Sequence, residues 1–101
     1  MALPFDDDLA PLYSVGQVAG MLDVQPAFLR RLDIERVVQP ARSDGGQRRY
    51  SRHEIGLAQH VSQMADAGMS LAGIRRILVL ETEVKALRAQ LAALQPGAST
   101  S

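Results

Sequence analysis

Ile77, Leu80, Val84, Leu87, Leu91 and Leu94 are spaced 3, 4, 3, 4 and 3 residues apart. This is an unbroken a/d heptad stripe over 18 residues, about 27 Å of helix at ~1.5 Å per residue. The outer positions are Glu, Thr, Lys, Arg, Gln and Ala. Such a seam is narrower than the face a helix turns toward its own domain, so it calls for a partner helix. Folding back onto its own chain is the bland alternative. Against it, residues 14–78 already supply enough helices for a small core. The stripe is short, so the preceding helix is expected to join the assembly. In an antiparallel pair centred between Val84 and Lys85, Glu81 opposes the partner subunit's Arg88.

Upstream, local signals place the other elements. Ser14 followed by Gln17 matches a capping box, and Val18, Met21 and Leu22 recur at helical spacing. Asp23-Val24 breaks this short helix. Gln25-Pro26 opens a second one, with Pro at a position where its missing N–H costs nothing. Leu29, Leu32 and Val37 face inward, and Arg30 and Arg31 sit near the middle. Residues 14–36 therefore read as helix, tight turn, helix. Pro40 ends helical continuation. Asp44-Gly45-Gly46 marks a reversal between two extended arms that carry Arg42, Arg48 and Arg49. Ser51 with Glu54 forms a second capping box, opening a helix to about Ala67. Its inner face carries Ile55, Ala58, Val61 and Ala65, with Leu57 and Met64 beside them. Gly68 stops it, Ser70 caps the next helix, and Leu71, Ile74, Ile77 and Leu78 form that helix's buried stripe. Gln95-Pro96-Gly97 ends the chain's last helix.

The net charge of zero hides an uneven distribution. Residues 1–29 carry Asp6, Asp7, Asp8 and Asp23 and no Lys or Arg. Residues 30–53 carry seven Arg (30, 31, 36, 42, 48, 49, 52) against Asp33, Glu35 and Asp44, a local balance of +4. Arg presents a planar fork of donors suited to phosphate and to guanine edges. A solvated surface with scattered ion pairs would also account for charge alone. The spacing decides for a polyanion, because the basic block coincides with the second helix and the hairpin. If the chain pairs, the two-fold axis duplicates both. A helix can then enter a major groove while the hairpin tracks flanking phosphates.

Other chemistries find little support. With 101 residues there is room for one domain and a tail. No Cys is present, which excludes thiolate metal sites, disulfides and cysteine redox chemistry. Four aromatic residues argue against an aromatic ligand cage. His53 and His60 lie seven apart with no third metal ligand nearby, so they are expected to be surface histidines. Met64 and Met69 are expected in the core. No nucleophile–base pair, phosphate loop or pocketed carboxylate pair is visible, so an enzyme is not expected. The N-terminus lacks the pattern of a secretory signal and no apolar run spans a bilayer, so the expected address is the cytoplasm.

Five segments together resemble the MerR family of bacterial transcriptional regulators. They are Tyr13-Ser14-Val15; Val24-Gln25-Pro26-Ala27-Phe28-Leu29-Arg30; Pro40-Ala41-Arg42; Gly46-Gln47-Arg48-Arg49-Tyr50-Ser51; and Gly68-Met69-Ser70-Leu71-Ala72-Gly73-Ile74-Arg75-Arg76-Ile77-Leu78. Their order and spacing carry the resemblance, which covers about residues 13–94. Gly-Gly-x-Arg-Arg-Tyr-Ser and Leu-Ala-Gly-Ile-Arg-Arg-Ile look closest to the heat-shock repressor (HspR-like) branch.

The resemblance implies a mainly α fold: a winged helix-turn-helix with a small β-hairpin wing, followed by a dimerising coiled-coil helix. It places the winged helix-turn-helix domain at 13–78 and the dimerisation helix at 79–95. The Pro-flanked acidic composition of residues 1–12 predicts an acidic disordered tail before them, and the stop at Gln95-Pro96-Gly97 predicts a disordered tail (96–101) after them. Residues 26–36 would be the recognition helix and 41–50 the wing. Arg30 matches the family's recognition-helix Arg, and Arg49 and Tyr50 match its wing pair, which holds the DNA backbone. Gln25, Phe28, Arg31, Arg42, Gln47 and Arg48 complete the expected DNA-binding set. Ile77, Leu80, Val84, Leu87, Leu91 and Leu94 are the expected dimerisation residues. The family usually has an aromatic at Leu32, Ser or Thr at Phe28, a cap stronger than Gln25, no basic residue at Arg31 and a helix-ending Gly at Arg36. The resemblance therefore speaks for the fold and not for an operator sequence.

The implied function is a sequence-specific transcriptional regulator, expected to be a repressor, acting as a homodimer on inverted-repeat promoter DNA. No cofactor or metal is implied, because the cysteines and effector domain of the sensing members are not seen. RNA polymerase, a chaperone or another regulatory protein are further candidate partners. The alternative is an adaptor that docks on a sigma factor or another regulator through residues 77–94.

Overall fold

A computed structural model describes residues 7–95. The elements run β1 (Tyr13–Ser14), α1 (Val15–Leu22), α2 (Pro26–Ile34), β2 (Ala41–Arg42), β3 (Arg48–Tyr50), α3 (Arg52–Asp66) and α4 (Leu71–Leu94). Four helices surround a small antiparallel sheet of order β1-β3-β2. This is the winged helix-turn-helix expected, with one strand more. β1 pairs with β3 through Tyr13↔Tyr50 and Ser14↔Arg49. A strand of two residues has no period to read, so only its partner reveals it.

The helix starts follow the side-chain oxygens in the sequence. Ser14 Oγ accepts from the Gln17 amide at 3.2 Å, and Gln17 Oε1 accepts from the Ser14 amide at 2.8 Å. Ser51 and Glu54 make the same reciprocal pair at 3.1 and 2.9 Å. Ser51 is buried, so its box also satisfies polar groups that water cannot reach. Ser70 caps α4 through the Gly73 amide at 3.1 Å. Gln25 makes no side-chain cap, and Pro26 alone marks the start of α2.

One core holds the domain. It comprises Val18, Ala19, Leu29, Leu32, Val37, Val38, Tyr50, Ile55, Ala58, Val61, Met64 and Ile74. Every element except β2 and the distal part of α4 contributes to it or packs against it. Two methionines are exposed, and of these Met69 departs from the expected core placement. Met21 is exposed because Val18 and Ala19 take the inward face of the short α1. Met69 is exposed because it lies in the turn after Gly68, whose φ of 95° redirects the chain.

The helix-ending residue of α2 is resolved as well. The helix stops at Ile34, and Arg36 adopts a left-handed φ of 59°, the conformation a glycine there would take freely. Arg75 of α4 donates to the Glu35 carbonyl at 3.3 Å, placing a cation at the C-terminal end of α2.

Residues 7–12 are tethered. The Asp8 carbonyl accepts from the His53 amide at 2.9 Å, its carboxylate pairs with Arg52 at 3.1 Å, and the Leu12 amide donates to the Tyr50 carbonyl at 3.1 Å. The rest of the expected N-terminal tail (1–6) and the expected C-terminal tail (96–101) lie outside the described residues. α4 is continuous through the expected boundary at 78/79.

Arg36→Gly should raise stability by about 1 kcal/mol. Relief of the left-handed strain, ~1–2 kcal/mol, exceeds the added backbone entropy of the unfolded chain. A higher urea midpoint at constant slope is the expected result; a lower midpoint would contradict this account of the turn.

Candidate nucleic-acid interface

α2 and the hairpin stand side by side because one carboxylate joins them. Asp33, near the end of α2, accepts from Arg48 Nε at 2.7 Å and from Arg42 at 3.0 Å, both on Oδ2. Arg42 and Arg48 are direct cross-strand neighbours. Like charges placed opposite one another destabilise a hairpin, and Asp33 offsets that repulsion. Arg42 also donates to the Gly46 carbonyl at 3.1 Å, so the same guanidinium secures the hairpin tip. The tip is closed by Ser43 and Gln47, with the Ser43 amide 2.7 Å from the Gln47 carbonyl. Gly46 sits there at φ 82°, supplying the left-handed residue the reversal needs.

The expected DNA-binding residues divide into distinct environments. Gln25 is exposed just before α2, Arg30 and Arg31 are exposed on it, Phe28 is half-buried beside them, and Gln47 is exposed at the hairpin tip. Arg31 pairs with Glu35 at 3.2 Å across one helical turn, with both side chains largely in water. Such a pair contributes only tenths of a kcal/mol and opens readily. Among the described residues neither Arg30 nor Arg49 has a carboxylate partner. Arg49 is half-buried and makes one long bond, 3.4 Å, to the Arg48 carbonyl. Arg48 and Arg42 are already engaged by Asp33.

Tyr50 differs from the expected placement. Its side chain is fully enclosed in the core, with the hydroxyl unpartnered. In this conformation it offers no surface to a duplex; it packs beneath the wing and supports it. Burial raises the phenol above its ordinary 10.0, opposed by the Arg48 charge and reinforced by Asp33 and Glu54.

Asp33 escaped the sequence reading. It lies 15 residues from Arg48, and no local spacing ties the two. The nearest signal was its place as an acid within the basic block.

The apolar seam of α4 is uncovered beyond the first turns. Ile77 packs against the core, but Leu80, Val84, Leu87, Leu91 and Leu94 are exposed, from 41% at Leu80 to 79% at Leu94. Ile77, Leu80, Glu81, Val84, Lys85 and Arg88 line an open groove along it. Glu81 is held within the chain by His60 of α3, whose Nε2 lies 3.0 and 3.1 Å from its two oxygens. Of the expected inner stripe on α4, Ile74 is buried, while Leu71, Ile77 and Leu78 are partly so. Among the described residues no helix is long and apolar enough to cross a membrane, and no cluster of three metal-ligating side chains occurs.

Comparison with known proteins agrees with this geometry. The profile of the MerR HTH family regulatory proteins matches residues 13–80. A heat shock protein of Streptomyces coelicolor designated HspR is 40% identical over 95 residues, covering 90% of this chain and 63% of its own. The HTH-type transcriptional regulator GlnR of Bacillus anthracis is 25% identical over 80 residues, covering 78% of this chain and 62% of its own. The chain thus spans somewhat less than two thirds of these relatives' length. Two solved structures share the fold. One is a MerR family transcriptional regulator from Bacillus cereus, with a TM-score of 0.61 and 23% identity, covering 81% of this chain and 66% of that one. The other is HiNmlR, a MerR family regulator lacking the sensor domain and bound to promoter DNA, with a TM-score of 0.59 and 21% identity, covering 81% and 74%.

Tyr50→Phe should stabilise the fold by about 1 kcal/mol, because it removes a buried hydroxyl without a partner. The raised phenol pKa has a further consequence. Above pH 10 the unfolded chain loses this proton before the folded one, so the contribution of Tyr50 to stability declines as pH rises. Urea midpoints measured from pH 8 to pH 11 should decline less in the Phe variant; identical declines would contradict the assignment.

Proposed function

The chain belongs to the MerR family of helix-turn-helix regulatory proteins, and from that membership we propose that it is a sequence-specific DNA-binding regulator that represses transcription as a homodimer on inverted-repeat promoter DNA. The observation that carries the proposal is the pair Arg30 and Arg49. One stands on α2 and the other on β3 of the wing, and neither has a carboxylate partner among the described residues. HiNmlR, of the same fold, was solved on promoter DNA, and repression is what the resemblance to the heat-shock repressor branch implies.

In this reading α2 enters the major groove and Arg30 meets a base edge. Gln25 and Arg31 flank it, and Phe28 packs at the base of the contact. Arg49 and Gln47 approach the adjacent backbone, with Arg42 and Arg48 adding positive charge behind them. Tyr50 acts from below by holding β3 in place. Leu80, Val84, Leu87, Leu91 and Leu94 pair with the same residues of a second copy, with Ile77 where the seam leaves the core. The two-fold axis then fixes the spacing of two half-sites. Residues 13–78 serve recognition and 79–95 serve pairing, and the chain works by binding rather than catalysis.

Anisotropy titration of a labelled duplex from upstream of its own coding region tests the proposal. Salt-sensitive binding is expected, and no binding at about 50 mM salt would contradict it. Arg49→Ala should weaken binding to all duplexes alike and reduce the salt slope by about one. Arg30→Ala should cost about 1–3 kcal/mol on the preferred site and relax its selectivity.

A further inference from the structure

The wing and α2 approach DNA as one surface only if their relative placement is set beforehand. A hairpin with strands of two and three residues has little rigidity of its own. Here Asp33 Oδ2 is shared by Arg48 at 2.7 Å and Arg42 at 3.0 Å, and Arg42 reaches on to the Gly46 carbonyl at 3.1 Å. One carboxylate on α2 thus touches both wing strands and, through Arg42, the tip. The pair is well shielded at its centre: the side chains of Asp33 and Arg48 are 13% and 16% exposed, whereas Arg42 is 50% exposed. Shielding strengthens these charge-assisted bonds relative to surface pairs.

We propose that Asp33 is a positioning residue for DNA recognition, pinning the wing to α2 so that Arg30 and Arg49 engage one duplex in fixed register. The inference rests on the DNA-binding reading above. Asp33 itself touches no DNA. Each guanidinium keeps further N–H donors beyond those given to Asp33 and Gly46. The pin therefore orients these arginines without exhausting them.

The proposal separates from plain electrostatics by sign. Asp33 places a negative charge near a polyanion, so removing it should tighten binding to any duplex if charge alone mattered. A positioning role predicts the opposite for the preferred site, because the two contacts lose their common frame. Random-sequence duplex, bound through charge, keeps or gains affinity.

The test uses an inverted-repeat duplex selected by the full chain from a random pool, with an unselected duplex as control. Asp33→Asn should bind the selected duplex about tenfold more weakly (about 1.4 kcal/mol) and the control equally or more tightly. Asp33→Glu, which restores the charge, should recover part of the loss. In the DNA-free protein, amide exchange at Gly46 and Gln47 should accelerate in Asp33→Asn, which loss of a direct DNA contact would not cause. If Asp33→Asn does not fold, Arg42→Lys carries the exchange measurement, since an ammonium cannot hold Asp33 and Gly46 with the same planar fork. Selected-duplex binding that is unchanged or tighter, or wing exchange that is unchanged in the variant measured, overturns the proposal. Failure of the unaltered chain to select any duplex overturns the DNA-binding reading instead.

Discussion

α4 starts inside the domain and ends outside it, and this division governs the rest of the molecule. Ile74 closes the core, Ile77 packs at its edge, and from Leu80 onward the apolar seam faces water. Burying a Leu or Val side chain fully is favourable by about 1.5–3 kcal/mol. A row of such side chains on a straight helix is therefore a large unmet demand for a complementary surface. The domain cannot meet it, because α1, α2, α3 and the sheet are already committed around Tyr50, Leu29, Leu32 and Val61. In the proposed homodimer, a second copy supplies that surface with the same row and the same spacing.

The surface that carries Arg30 and Arg49 depends on that core through short links. Tyr50 lies at the centre of the packing and at the end of β3, so the wing is rooted in the interior. Arg75 reaches from α4 to the end of α2, and His60 joins α3 to α4 through Glu81. Asp33 then joins α2 to the wing.

Much of this was legible in the sequence where the signal is local. The capping boxes at Ser14 and Ser51, Pro26 at the start of α2, the glycines of the hairpin and the heptad spacing of α4 each act within a few residues. What escaped acts at a distance. β1 exists only because β3 is beside it. Asp33 shows its role only when Arg42 and Arg48 fold back against α2. Tyr50 read as a surface contact because the motif marks its place in the wing but not the direction of its side chain. Arg36 left the end of α2 open, since a left-handed turn at a non-glycine is set by packing on either side rather than by its own preference. Asp8 and Arg52 belong to segments whose pairing no spacing announces.

The most direct measurement is the mass of the purified chain by sedimentation equilibrium at micromolar concentration. A single species of twice the 10.9 kDa chain mass is the result this account requires. A chain that stayed at 10.9 kDa up to its solubility limit would contradict it, because the seam of α4 would then persist in water without a partner.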